Sequence, residues 1–160
     1  MIRLPKKTLF AIEAVLDIAY HAGSEPVQSR EITRRQCIPR RYLEQALQQL
    51  VRDGILIGVR GPKGGYRLAR ERRRITIAEI VASMRKTETA EDPLECPEGS
   101  DLGHNVVRPI WGKVQDMIME QLGGITIHDM CAKAHDSGIE SEGRQTVSYT
   151  HLTLPTIYSV

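Results

Sequence analysis

The residues best suited to chemistry in this chain are the cations and glycines of the segment 59–68, which reads Val-Arg-Gly-Pro-Lys-Gly-Gly-Tyr-Arg-Leu. Five mostly apolar residues, 55–59, run into this turn, and a second short apolar stretch follows it. The pattern predicts a β-hairpin whose tip presents Arg60 and Lys63. The glycines beside them lack side chains, so the backbone there can approach another surface closely. A basic tip of this kind is suited to binding a polyanion.

An amphipathic helix is predicted directly before this hairpin, over residues 39–53. Pro39 suits its first turn and Gly54 its C-terminal end. A shorter helix, capped by Ser29 and running to about Gln36, precedes it. Two helices joined by a short turn and followed by a basic hairpin form the pattern of a winged helix-turn-helix, which binds DNA. The apolar stripe predicted to be buried in the second helix consists of Leu43, Ala46, Leu47, Leu50 and Val51.

The charge of the chain is divided unevenly between its two halves. Residues 1–85 contain 17 Lys and Arg against 8 Asp and Glu, a net charge of +9, whereas residues 86–160 contain 5 against 12, a net charge of −7. This division predicts that the first half contacts a polyanion and that the acidic half does not touch DNA. The alternative is that each half merely has a solvated charged face.

Composition also bears on the compartment. No run of about 18 apolar residues is present, so no membrane-spanning helix is predicted. The apolar stretch near the N-terminus is interrupted by Glu13 and Asp17, which is unlike a signal peptide. Three widely spaced cysteines form no disulfide framework. We therefore expect a cytoplasmic protein.

The remaining elements follow from apolar residues at helical spacing and from two Thr-x-x-acidic capping patterns, at Thr76 and Thr126. The predicted fold class is mainly α, with a winged helix-turn-helix domain over residues 1–85. Pro109 falls in the first turns of the longest helix, where proline costs least. The predicted segments are helices over 6–22, 77–84, 104–122 and 126–134, an acidic loop over 86–103 and a tail over 135–146.

The longest of these helices has an apolar face that must be covered. It can pack on the first helix of its own chain or on the same helix of a second subunit. We expect a homodimer, because DNA-binding proteins of this size pair to match palindromic sites. The predicted interface residues are Val107, Ile110, Trp111, Val114 and Ile118.

The last segment of the chain, residues 147–160, does not look like natural protein sequence. Residues 147–152 read Val-Ser-Tyr-Thr-His-Leu, which is what one frame of a transposase-type sequencing adapter would encode. We therefore expect adapter read-through, with the natural chain interrupted near Thr146. The alternative is a genuine strand, because Tyr149, Leu152 and Ile157 are apolar.

Three motifs resemble those of the Rrf-two-type regulators, the IscR-, NsrR- and CymR-like winged-helix proteins. They are Tyr-Leu-Glu-Gln at 42–45, Arg-Gly-Pro-Lys-Gly-Gly-Tyr at 60–66, and Trp111 followed by Ile-Thr at 125–126. The resemblance covers about residues 2–134. It implies a homodimer whose long helices cross, with each recognition helix in a major groove and each wing in a minor groove. By position, it places Arg41, Glu44 and Gln45 at base edges and Arg60 in the minor groove.

The chemistry of these side chains agrees with the implied roles. Glu44 can accept from cytosine N4 and Gln45 can pair with adenine, each good pair discriminating by about 1–3 kcal/mol. Arg60 beside Gly61 and Pro62 can enter a narrow minor groove, where the potential is most negative. The alternative for Glu44 is an i,i+4 contact on the helix surface. The cations expected at phosphates are Arg40, Lys63, Arg67, Arg70, Arg72, Arg73 and Arg74.

Many members of the family that this chain resembles detect their signal through an iron–sulfur cluster, which is held in the loop before the long helix. An ungapped alignment places the four ligand positions on Pro93, Gly99, Asn105 and Arg108, none of which is a cluster ligand. Cys96 and His104 lie nearby, so a shifted register could supply two ligands, short of the usual four. We therefore expect no metal and no cofactor. A cluster in the shifted register is the alternative.

Other sensing routes and other functions remain open at this point. Cys37 stands in the helix-turn-helix turn, where the family commonly has glycine, and its cationic neighbours could make it a redox-sensitive thiol; otherwise it is an inert turn residue. A regulatory protein partner could also dock on the acidic half. An enzyme is not expected, because the histidines fall in separate predicted elements and no nucleophile accompanies them. We expect a dimeric DNA-binding regulator, in particular a repressor. The histidines are His21, His104, His128 and His135.

Overall fold

The apolar core of the protein lies between the first three helices and the helices that follow the hairpin. A computed structural model describes residues 3–143. It has α1 over Lys6–Tyr20, α2 over Ser29–Gln36 and α3 over Arg40–Arg52. Four residues of the predicted stripe of α3 are fully buried, but Val51 is 37% exposed. The prediction for Val51 was wrong because the helical period of 3.6 carries that residue to the edge of the stripe.

The start of α2 also differs from expectation. Ser29 is the first helical residue and Gln28, not Ser29, is the N-cap. The backbone N–H of Gln28 donates to a carboxylate oxygen of Glu31 at 3.0 Å. The acidic residue three positions into the helix therefore satisfies a backbone donor at its start, which moves the cap one residue earlier.

The predicted hairpin is confirmed as an antiparallel pair, β1 over Leu56–Val59 and β2 over Gly65–Leu68. The hairpin is joined to the helix-turn-helix by a bridge that was not predicted. Val27, just before α2, exchanges two backbone hydrogen bonds with Tyr66, at 3.0 and 2.8 Å. A side-chain carbon at Gly65 would lie 2.4 Å from the carbonyl oxygen of Val27, so only glycine permits this approach.

The C-terminal half is helical, as predicted, with one irregularity. A 3₁₀ turn over Arg72–Arg74 precedes α4 over Ile77–Arg85, and α5 over Arg108–Gly123 is followed by α6 over Ile127–Asp136. Both predicted threonine caps are present. The longest helix is preceded by two helical residues, 101–102, and a π-turn over Gly103–Val107 joins them to it. Pro109 has no N–H and its ring crowds the carbonyl four residues earlier, which favours the wider turn.

The packing of α5 leaves most of its apolar surface uncovered in one chain. No residue of α5 is buried, and its main contact within the described residues is with α4 rather than with α1. Met119 and Leu122 pack partly against the core. Across residues 3–143, no helix combines the length and the apolar character needed to span a bilayer.

The segment after α6, which the structure describes up to residue 143, packs against the rest of the protein. Residues 137–143, which we call the strap, fold back onto the end of α1. Ser141 of the strap is 4% exposed, and its hydroxyl donates to the carbonyl oxygen of Tyr20 at 2.6 Å. Residues 147–160, interpreted from the sequence as adapter read-through, lie outside the described residues.

Candidate nucleic-acid interface

A groove runs between α2, the start of α3 and the wing. Four of the predicted DNA contacts, Arg40, Arg60, Gly61 and Pro62, line it together. Lys63 belongs to the same wing tip, but its ammonium group faces the Glu25 carboxylate at 3.4 Å, and both side chains are largely exposed. The fold therefore joins cations from one helix and from the hairpin at one concave surface. The residues of α2 that complete the groove are Ser29, Arg30 and Thr33.

The shape of the wing tip depends on its glycines. Gly61 has a φ of +115°, in the left-handed region that favours glycine. The backbone N–H of Gly64 donates to the carbonyl oxygen of Gly61 at 2.9 Å and closes the turn. A side-chain carbon at Gly64 would lie 2.3 Å from the carbonyl oxygen of Val59, so that position must remain glycine. This tight turn holds the exposed Arg60 at the outer end of the hairpin.

The predicted base-reading residues lie on the outer face of α3. Arg41, Glu44 and Gln45 are all exposed. Glu44 accepts a hydrogen bond from Nε of Arg40 at 2.8 Å, which is the i,i+4 contact that sequence reasoning left as the alternative. Such an exposed pair contributes about 0–1 kcal/mol, so a better partner for either side chain can displace it.

Two of the cations expected at phosphates also have partners within the chain. A guanidinium nitrogen of Arg67 donates to the carbonyl oxygen of Ser24 at 2.9 Å, which fixes β2 to the loop before α2. Arg70 forms a two-point ion pair with Glu79 at 3.1 and 3.2 Å. Arg73 is exposed, and it lies in the 3₁₀ turn before α4.

The anchoring of α2 was missed from the sequence. Asp17 of α1 is fully buried and accepts two hydrogen bonds from Arg35, at 2.9 and 2.8 Å, and one from Gln36 at 2.7 Å. The hydrogen bond to Asp17, followed by the nearby negative charges of Asp17 and Glu142, raises the pKa of Arg35 against the opposing effect of burial. This ionic contact sets the position of the helix that lines the groove.

The candidate sensor residues Cys96 and His104 both contact Arg108. A single guanidinium, that of Arg108, donates to the carbonyl oxygens of Cys96 and Glu98 and to Nδ1 of His104. Within residues 3–143, no group of three His, Cys, Asp or Glu side chains could hold a metal ion. A cation thus lies where a cluster would need ligands, and these residues do not fit an iron–sulfur cluster. Pro93 and Asn105, at two other ligand positions, supply no thiolate or imidazole.

The other two cysteines lie in contrasting places. Cys37 is exposed and has a φ of +55°, the left-handed conformation that ends α2. This conformation explains in physical terms why glycine suits that turn. Cys131, interpreted from the sequence as a core residue, is 1% exposed in α6.

The residues predicted for a dimer interface lie together along the uncovered side of α5 and the turn before it. Val107, Ile110, Trp111 and Ile118 are 49, 60, 49 and 37% exposed. Val114 is half-buried. Met117, which is 60% exposed, extends the same side and was not predicted. We call these residues the α5 face.

Comparison with known proteins places these features in context. The family model Rrf2, described as an iron-dependent transcriptional regulator, matches residues 4–133. An HTH-type transcriptional regulator of Neisseria meningitidis is 32% identical over 153 residues, covering 94% of this chain and 99% of that protein. The regulator IscR of Xenorhabdus nematophila is 34% identical over 131 residues, covering 80% and 78%.

Solved structures agree with this similarity. The structure of IscR from T. potens has a TM-score of 0.68 and 31% identity, and the match covers 88% of this chain and 93% of that one. The global cysteine regulator CymR of B. subtilis has a TM-score of 0.66 at 24% identity, covering 83% and 98%. The second likeness concerns the winged-helix fold alone.

Proposed function

Because the chain belongs to the Rrf2 family of DNA-binding transcriptional regulators, we propose that it is a homodimeric repressor that reads duplex DNA sequence with α3 and the wing. The groove that brings Arg30, Arg40 and Arg60 together carries this proposal. A helix and a wing that present cations at one surface suit a major groove and the adjacent minor groove. Among residues 3–143, no Asp or Glu lines this groove.

In the proposed complex, the exposed outer face of α3 enters the major groove. Arg41, Glu44 and Gln45 then contact base edges. Arg40 gives up its hydrogen bond to Glu44 and binds a DNA phosphate. The wing tip inserts Arg60 into the adjacent minor groove, where the absence of side chains at Gly61 and Gly64 lets the backbone approach.

The α5 face supports the proposal of a homodimer. Five apolar residues of this face are 37–60% exposed in a single chain, and burying them against a second copy stabilises the pair. A two-fold dimer also presents two identical grooves, which suits a palindromic site.

We further propose that the protein works without an iron–sulfur cluster, since Arg108 occupies the space between Cys96 and His104. Anaerobically purified protein should then be colourless, and iron chelation should leave DNA affinity unchanged. A brown protein with about two irons per chain would contradict this proposal.

Regulation by a thiol is a second candidate, favoured by the exposure of Cys37 next to the helix-turn-helix. Peroxide should then weaken DNA binding, dithiothreitol should restore it, and Cys37→Ser should abolish the response. An equal response of wild type and variant would exclude this role for Cys37. The next route to test would then be a protein partner that docks on the acidic half.

Selection from a random-sequence duplex pool tests the main proposal. The full chain should enrich a two-fold symmetric site whose half-sites are about one helical turn apart, or a multiple of it. Enrichment of no sequence, or of a site without symmetry, would contradict a dimeric sequence-specific reader.

A further inference from the structure

The strap, residues 137–143, is fixed to the corner between α1 and α2 by several backbone contacts. The Tyr20 hydroxyl donates to the carbonyl oxygen of Ile139, and the backbone N–H of Glu142 donates to Nδ1 of His21 at 3.0 Å. A side-chain carbon at Gly143 would lie 2.4 Å from the carbonyl oxygen of Ala22, so the two backbones are in close contact. The strap therefore places the Glu142 side chain at a defined point beside α2.

The carboxylate of Glu142 is held by two arginines of α2. Nη2 of Arg34 donates to both of its oxygens at 3.1 Å, and Nη1 of Arg35 donates to one of them at 2.7 Å. Burial raises the pKa of Glu142, but the hydrogen bond from Arg34 and the charges of Arg35 and Arg34 outweigh it and leave that pKa lowered. Glu142 is thus ionised at neutral pH.

The two arginines differ in their access to a ligand. The Arg35 side chain is 9% exposed and is already bound to the buried Asp17, whereas the Arg34 side chain is 62% exposed. Arg34 lies four residues after Arg30, hence one turn further along the same face of α2. Arg30 lines the groove proposed to bind DNA. Arg34 therefore extends the row of cations that a DNA phosphate could reach.

A guanidinium donates charge-assisted hydrogen bonds to carboxylate and phosphate oxygens alike. We propose that Glu142 acts as an internal phosphate mimic: the strap occupies Arg34 and thereby weakens DNA binding until the DNA or a second factor displaces it. This inference rests on the proposed DNA-binding function. It makes the C-terminal strap an autoinhibitory contact.

The test compares variants of the full chain on the duplex obtained by selection. Glu142→Gln keeps the size of the side chain and removes its charge, and Asp136→Asn makes the same charge change at the exposed end of α6. Affinity is measured by fluorescence anisotropy over a range of salt concentrations. Each additional phosphate contact should tighten binding roughly eightfold at about 0.1 M salt and steepen the log–log salt slope by about 0.9. A dimer that gains one contact per protomer should therefore bind roughly 60-fold more tightly, with a slope steeper by about 1.8.

The Arg34→Ala background separates masking from other effects of the strap. There, Glu142→Gln should give no gain in affinity, because the masked cation is gone. The proposal is overturned if Glu142→Gln matches Asp136→Asn, if it weakens binding, or if its gain persists without Arg34. Failure of the wild-type protein to bind any duplex would overturn the proposed function instead.

Discussion

Replacing Asp17 by asparagine should destabilise the protein by about 3 kcal/mol. The Asp17 carboxylate is fully buried between α1 and α2, where it accepts two hydrogen bonds from Arg35 and one from Gln36. Asparagine has nearly the same shape, but it lacks the charge and turns an N–H₂ group towards side chains that are themselves donors. The variant therefore leaves a poorly solvated guanidinium without its main partner.

The size of the effect follows from the surroundings of Arg35. Removing one member of a buried ion pair costs about 3–5 kcal/mol. Arg35 keeps its contact with Glu142 at 2.7 Å, so we expect the lower end of that range. A loss of this size is a large part of a typical stability of about 5–15 kcal/mol. It should lower Tm by roughly 6–12 °C in a chain of this length.

Urea denaturation followed by far-ultraviolet circular dichroism measures this loss. Glu142→Gln is the matched control, because it removes the exposed partner of the same arginine and should cost only about 0–1 kcal/mol. If Asp17→Asn lost less than about 1 kcal/mol, or no more than the control, the buried pair would not be what holds α2 on α1.

Three further predictions concern other parts of the molecule. Cys37→Gly should stabilise the protein by about 1 kcal/mol in thermal unfolding, because residue 37 has a φ of +55°, and Cys37→Ala should not. Ile110→Asp should convert dimers to monomers in analytical ultracentrifugation, whereas Lys113→Asp should not; a persistent dimer would exclude the α5 face. Hydrogen bonds from Ser83, Gln49 and Lys86 lower the pKa of Asp53 to about 2 against the effect of burial. The stability that Asp53 contributes should therefore be present above its ordinary pKa of 3.8 and be lost as the pH falls towards 2. Ser83→Ala should raise that pKa in an NMR titration, and an unchanged pKa would contradict the assigned cause.

Elements defined by local signals could be predicted from the sequence. The apolar repeat of α3, the threonine caps of α4 and α6, and the Gly/Pro turn of the wing all depend on residues a few positions apart. The misplaced details have equally local causes: Gln28 caps α2 through Glu31, and Pro109 widens the turn before α5. Such details depend on which of several suitable neighbouring residues satisfies the backbone groups at a helix end.

The contacts between distant segments could not be predicted in the same way. Asp17 could be seen as a charge in an apolar stretch, but its pairing with Arg35 depends on how α1 and α2 pack. Glu142 and Arg34 form an ion pair although 108 positions separate them in the sequence, and no rule of residue spacing predicts such a contact. Likewise, Arg108 could be recognised as a poor cluster ligand, but its binding of the Cys96 and Glu98 carbonyls required the folded loop.

The most direct test of DNA reading by α3 and the wing is the salt-dependent affinity of Arg60→Ala for the selected duplex, compared with Lys113→Ala on α5. Both variants remove one cation, but only Arg60 lies at the wing tip in the groove. Arg60→Ala should weaken binding, relax the preference at an A/T-rich flank and reduce the salt slope by about 1 per protomer, with Lys113→Ala close to wild type. Unchanged affinity for Arg60→Ala, or equal losses in both variants, would contradict the proposed interface.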